Sequence, residues 1–291
     1  MSSIVIQTPP AAEPVTLATL KNHLRVTLSD DDELLKIYLQ AAREVVESAS
    51  GRSLVNKVYR QSHDRFPHRH EGSGFGAAGY FYSAPRYAHH RGDERQAIKL
   101  LRCPLVQAAK ITYIGLDQLP HDLLPVPEIW RAKAEYDIGA QITDGSNLQE
   151  VTALTEAETG GASLSGAAAP AWNAVLGGVT TDADLTWTNK GAAPAGDFLM
   201  DRDSEPPRLL PLSGQVWPVA LHVPNAVQVF FTAGYGKDAA DAPATLKVAV
   251  LQTVGVSYEF REAATLDVIR DLAWYERLIW SQRVVDFSPT P

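Results

Sequence analysis

The sequence predicts an α+β protein: an α-helical bundle core formed by N- and C-terminal helices, a few β-strands between them, and an inserted small β domain. Three observations point there. Apolar residues recur at helical spacing in both end regions, and β-branched runs closed by glycine occupy the middle. Residues 136–196 form a Gly-, Ala-, Thr- and Asn-rich island with few charges, broken by turn signals. The expected organisation is a core in two parts, 1–135 and 197–291, around a β module at 136–196. At 291 residues the chain is long enough to bury a sizeable core as one large domain or two modest ones.

Residues 1–15 read as an extended arm, apolar only at Ile4, Val5 and Ile6. Thr16 is placed to cap a short helix that carries Leu17, Leu20 and Leu24 on one face. A second helix is expected from a cap at Ser29, with Asp30, Asp31, Asp32 and Glu33 at the positive end of its dipole. It stops near Ser50, where Gly51 suits a left-handed C-cap. Its apolar positions form two stripes, Leu34/Tyr38/Ala41/Val45/Ala49 and Leu35/Leu39/Ala42/Val46, a face wide enough to be mostly buried.

Strands are expected over Lys57–Phe66, Ile98–Leu101 and Val106–Ile114. Between the first two, 67–95 has no period and reads as a long loop, of a length that is usually functional or disordered. Within the island, Gln149–Leu154 and Leu185–Thr188 alternate as strands beside turns at Asp144-Gly145 and Gly177-Gly178. Asn225–Ala233 is a further strand. Asp241 and Pro243 make a cap-and-first-position pair for a helix reaching Glu262, and a last amphipathic helix is expected over about Leu266–Trp280.

Composition excludes several classes of function. The formal charge of −8 argues against a general nucleic-acid binder, though not against a wall that DNA slides past. The single cysteine, Cys103, excludes a disulfide framework and a Cys-rich zinc site. It reads as a buried small hydrophobe rather than a nucleophile. No basic residue precedes Lys21 and prolines interrupt the start, so no secretory signal is expected. The charge-free stretch Thr159–Thr181 is too rich in Gly, Ser and Pro to span a bilayer. No membrane partner is expected.

Candidate chemistry is sparse. Gly74-Phe-Gly76-Ala-Ala-Gly79 matches a dinucleotide fingerprint by letters but lacks the strand before it and the helix after it. His68 and His70 with His89 or His90 could hold zinc, yet no carboxylate or Cys stands at a helical ligand spacing. Asp201, Asp203 and Glu205 read as acids of a solvated loop. No catalytic residue, cofactor or metal is therefore expected, and the protein reads as a non-enzyme.

Binding residues are better represented. The loop region carries Arg60, Arg65, Arg69, Arg86, Arg91 and Arg95 interleaved with aromatics such as Tyr82, in the manner of an interface arm. Trp274, Tyr275, Arg277 and Trp280 on the last helix, with Arg283 and Phe287 beyond it, combine residue types enriched at binding hot spots. Trp172 and Trp187 in the island could form a sugar platform, but in so small a β unit large aromatics more often make the core.

Motifs at both ends resemble one known family. They are Glu13-Pro-Val-Thr-Leu-Ala-Thr-Leu-Lys-Asn-His-Leu-Arg25, Asp30-Asp-Asp32, Ala41-Ala-Arg-Glu-Val-Val-Glu47 and Gly51-Arg52. Further along come Leu100-Leu-Arg-Cys-Pro-Leu-Val106 with Ile111-Thr-Tyr-Ile114, then Trp217-Pro218, Ala233-Gly-Tyr-Gly236 and Tyr258-Glu-Phe-Arg-Glu262. In that order they resemble the head-to-tail connector, or adaptor, proteins of tailed bacteriophages and gene-transfer agents. The resemblance covers about 13–118 and 197–287. The island, with Gln149-Glu-Val-Thr152, Pro170-Ala-Trp172, Thr180-Thr-Asp182 and Thr186-Trp-Thr188, is similar to small β modules of phage virion proteins. The family's closing Leu-Leu-x-Pro-Tyr-Arg-Val segment is here Leu278-Ile-Trp-Ser-Gln-Arg-Val284, without its Pro-Tyr.

The resemblance implies a homo-oligomeric ring, usually of twelve subunits, seated under the portal protein. It would present a surface to a tail-proximal neck, stopper or tail-terminator protein, with DNA passing unread through the lumen. It also implies a virion neck location after assembly in the bacterial cytoplasm, and a C-terminal segment that reaches the portal. The alternative expectation is a virion decoration protein that binds glycans through Trp172 and Trp187.

Overall fold

The computed structural model describes residues 2–67, 96–134, 136, 138–154, 164–236, 238–260 and 278–284. The chain divides into two compact units, one made of 1–122 and 200–291 and the other of 123–199. The second unit begins earlier and ends later than the inserted module expected at 136–196, running from Leu123 to Leu199.

The architecture is mixed α and β, and it is richer in strands than the sequence led us to expect. Among the described residues there are three helices, α1 (Leu17–Leu24), α2 (Asp32–Ser50) and α3 (Ala244–Glu259). The larger unit also holds β1 (Ser2–Thr8), β2 (Lys57–His63), β3 (Ile98–Lys99), β4 (Leu105–Ile114) and β5 (Pro120–Leu123). The smaller unit holds β6 (Glu128–Ile129), β7 (Gln141–Thr143), β8 (Asn147–Leu154), β9 (Val179–Asp182) and β10 (Leu185–Ala192). There follow β11 (Phe198–Asp201), β12 (Arg208–Pro211) and β13 (Val227–Ala233). The mixed α and β class is as expected, and the expectation of only a few strands is corrected. Of the terminal helix expected over about Leu266–Trp280, residues 266–277 lie outside the described residues, and 278–280 are helical.

The ends of the helices follow local chemistry. The Thr16 hydroxyl accepts the Thr19 amide at 3.2 Å and opens α1. Ser29 does not cap α2 with its side chain. The helix starts after Asp31, whose carboxylate accepts the Tyr258 hydroxyl of α3 at 2.6 Å instead of capping. That trade ties the first turn of α2 to the last turn of α3, while Lys21 of α1 bonds Asp32 at 2.7 Å. Gly51 closes α2 in the left-handed region, at φ 75°. The stripe Leu35, Leu39, Ala42 and Val46 is buried with Leu20 of α1 and with Leu246, Ala249, Val250 and Val254 of α3.

The main sheet has the order β1-β2-β13-β4-β5. In it β13 is central, antiparallel to both β2 and β4. Its residues Val227, Val229, Phe231 and Ala233 are fully buried on one face, as a period of two requires. Tyr59, opposite Phe231, stacks on it at 5.5 Å between ring centroids. The ladder with β4 skips Ala109, so Ala108 and Ile111 both face the core despite their odd spacing. The arm expected at the N-terminus is β1, an edge strand paired antiparallel to β2.

The smaller unit is built round a buried carboxylate. Asp182 accepts the indole N–H groups of Trp130 at 2.8 Å and Trp187 at 3.2 Å, and the Gly166 amide at 2.7 Å. Trp187 is fully buried and meets Trp172 and Tyr136 edge-to-face at 5.8 and 5.1 Å. With Ile142, Val151 and Leu185 they form the core of a sheet ordered β6-β7-β8-β10-β9. Trp187 thus has no ring face open to a sugar.

Two outcomes are expected. Replacing Trp187 with Ala removes the largest buried side chain of this core and should cost about 3–5 kcal/mol of unfolding free energy, read by denaturant titration. A loss below about 1 kcal/mol would contradict the packing described here. Cys103 is buried, and burial pushes its thiol up to about 11. At pH 8 only roughly one thiol in a thousand would be ionised, so iodoacetamide should label Cys103 only on unfolding. Rapid labelling of the folded chain would contradict it.

Candidate functional site

Just beyond the far end of α2 stands an arginine with several hydrogen-bond partners. Gly51 turns the chain out of the helix, and the next residue, Arg52, is held by a parallel bridge to Cys103. The Ser53 amide bonds the Cys103 carbonyl at 2.8 Å, which fixes the backbone on both sides of the arginine. The guanidinium is therefore presented from a rigid base.

Its nitrogens are all engaged. Nη1 and Nη2 donate to the two carboxylate oxygens of Glu205 at 2.9 and 2.6 Å, a planar fork on a planar acceptor. Nη1 also donates to the Tyr235 hydroxyl at 3.0 Å, and Nε to the carbonyl of Gln282 at 2.5 Å. Burial is the largest single influence on Arg52 and opposes its charge, but the hydrogen bonds to Glu205 together with the electrostatic pull of Cys103, Tyr235 and Glu205 outweigh it, and the pKa is raised. Burial also raises Tyr235 above its ordinary value, with the neighbouring Arg52 charge working the other way. The phenol remains a neutral hydroxyl.

The C-terminal segment 278–284 is thereby attached to the body at two backbone points. One is the Gln282 carbonyl on Arg52. The other is the Val284 amide, which donates to the Ser50 carbonyl at 2.9 Å. Ile279 is buried and Leu278 packs against the helical core, while Trp280 points outward with 70% of its surface exposed. The arrangement holds a peptide segment and displays an indole. It places no nucleophile beside a base, and among the described residues no three His, Cys, Asp or Glu converge as metal ligands.

Of the residues singled out for partner binding, Trp280 and Arg283 lie on this segment, both exposed. Trp274, Tyr275, Arg277, Phe287, Tyr82 and Arg86 lie outside the described residues, as do Gly74–Gly79 and the histidines His68, His70, His89 and His90. Trp187 is in the core of the smaller unit, and Trp172, partly buried, packs against it. Arg52 and Glu205 were not legible as a pair, being 153 residues apart in sequence. Gly51-Arg52 was visible only as a motif, and Glu205 only as one acid of a loop.

Residues 14–71 match the family model of phage gp6-like head-tail connector proteins. No curated protein sequence matches the chain. Among solved structures, the fold is similar to that of a chain in the virion of a native gene transfer agent particle. That chain is 14% identical with a TM-score of 0.54, the likeness covering 99% of this chain and 98% of the other. It is also similar to a chain in the neck of an empty gene transfer agent particle computed with C6 symmetry. Here identity is 16% and the TM-score 0.51, with 100% of this chain and 98% of the other covered. The chain thus resembles the phage gp6-like head-tail connector proteins by sequence over residues 14–71, and by fold over its length it resembles chains of gene transfer agent particles.

Proposed function

We propose that the protein is a structural, non-enzymatic component of a virion neck: a head-to-tail connector that forms a ring between portal and tail and lines the DNA exit channel. The observation that carries this reading is the family match over 14–71, because it falls on α1, α2 and β2. That stretch supplies two of the three helices of the helical core and the Ser50–Arg52 seat of the C-terminal segment.

Other features support it. The outer side of α2 shows Ile37 at 64% and Val45 at 47% exposure, apolar surface that a second copy of the chain can cover. Contacts between unlike faces of identical subunits close into rings, and a ring of twelve is the size we propose. A charge of −8 suits a channel wall that must release DNA rather than hold it. In this scheme Trp280 and Arg283, with Trp274, Tyr275, Arg277 and Phe287, meet the portal protein, and Tyr82 and Arg86 meet neighbouring subunits. The opposite side of the ring receives a stopper or tail-terminator protein. The glycan-binding alternative finds no support in the placement of Trp187.

Electron microscopy of the purified full chain, alone and with portal-bearing heads, is expected to show rings. Particles made without the chain are expected to accumulate as separate heads and tails. A strictly monomeric protein, together with normal head–tail joining in its absence, overturns the reading.

A further inference from the structure

We infer that Arg52 is a positioning residue for the C-terminal segment: its guanidinium, locked by Glu205 and Tyr235, clamps the Gln282 carbonyl and so fixes where residues 282–284 lie on the body. Three independent observations converge on this. The guanidinium is oriented before it meets the segment, because a bidentate bond to Glu205 sets its plane and the Tyr235 hydroxyl sets its tilt. The backbone beneath it is immobilised by the Arg52–Cys103 bridge. Finally, the segment bonds through main-chain atoms, the Gln282 carbonyl and the Val284 amide, and Val284 lies against Gly51, where an added Cβ would sit 3.4 Å from it.

A clamp on backbone atoms does not read the side chains of the segment. Trp280 and Arg283 are left free to face a partner while the peptide that carries them stays in place. Glu205 is half exposed, so its pairing with Arg52 can be removed without opening the core. Lysine could keep an ion pair with Glu205, but as a point charge it cannot hold Glu205, Tyr235 and Gln282 in one plane. The clamp depends on the fork and not on charge alone.

The inference deepens the connector reading and rests on it for the purpose of the clamp, but the clamp itself is tested on the isolated full-length chain. Hydrogen exchange followed by mass spectrometry is measured for wild type, Arg52→Lys and Glu205→Gln, with β13 as the internal control. Both variants should speed exchange in peptides covering 282–284 by at least about tenfold, as expected for loss of a charge-assisted hydrogen bond, and leave β13 unchanged. Exchange at 282–284 equal to wild type in both variants overturns the clamp. So does acceleration that extends equally to β13, since that is global destabilisation. A separate arm mixes the variants with portal-bearing heads: loosening of 282–284 with undiminished joining upholds the clamp and removes only the partner-facing role of the segment.

Discussion

The larger unit depends on a group of four charges, three of them buried and the fourth, Glu13, partly exposed. Glu47 of α2 faces Arg43 one turn earlier at 3.2 Å and the ammonium of Lys57 on β2, while Arg43 reaches Glu13 of the N-terminal stretch at 2.7 Å. The second oxygen of Glu47 accepts the Leu54 amide at 2.9 Å. Arg43, Glu47 and Lys57 are thus taken from water together, with the partly exposed Glu13 balancing the second positive charge, and buried ions are tolerated only when paired in this way. Burial lowers the pKa of Lys57, and the Glu47 carboxylate opposes that shift. In Arg43 burial is again the largest influence and opposes the charge, but the bond to Glu13 together with the charges of Glu13, Glu47 and Glu44 more than offsets it. Removing one member of such a group typically costs about 3–5 kcal/mol, a large share of the stability of a domain.

The geometry of this group explains why helix and sheet meet as they do. Lys57 lies opposite Ala233 at the end of the β2–β13 ladder, on the face that buries Phe231 and Val229. Its ammonium can pair with Glu47 only if the sheet presents that face to the C-terminal turns of α2. A one-residue slip of β2 would send Lys57 to the other face and leave Glu47 and Arg43 mismatched inside. Register and helix docking are therefore set by the same ion pairs, and Tyr59 adds a bond from its hydroxyl to Ser53 in the connecting turn at 2.9 Å.

The parts of this structure legible in the sequence were those with a local cause. The Thr16 cap, the Gly51 stop, the buried stripe of α2 and the alternation of β13 each follow from residues within a few positions. Others have no such cause. The strands β3, β5, β6, β7, β9, β11 and β12 are two to four residues long, too short for alternation to rise above chance, and all but β3 went unseen. Ser29 looked like the better cap because the partner that draws Asp31 away, Tyr258, is 227 residues distant. The outer stripe of α2 looked buried because periodicity reports apolar character, not what covers it. At the site the reason is the same: the residue types were visible, but Arg52 and Glu205 are brought together only by the fold.

Glu47 and Arg52 stand five residues apart across the end of α2 and divide its work. The carboxylate faces inward and joins helix, turn and sheet. The guanidinium, beyond the turn at Gly51, joins the body to a segment from the far end of the chain. Because the helix end is held rigidly from within by the four charges, it can serve as a fixed seat on its outer side, where Ser50 and Arg52 engage only main-chain atoms of 282–284. The side chains of that segment are then under no constraint from the seat. A change at Glu47 must act on both the core and the seat, whereas a change at the half-exposed Glu205 leaves the buried charges in place and acts on the seat, which separates stability of the body from presentation of its C-terminal residues.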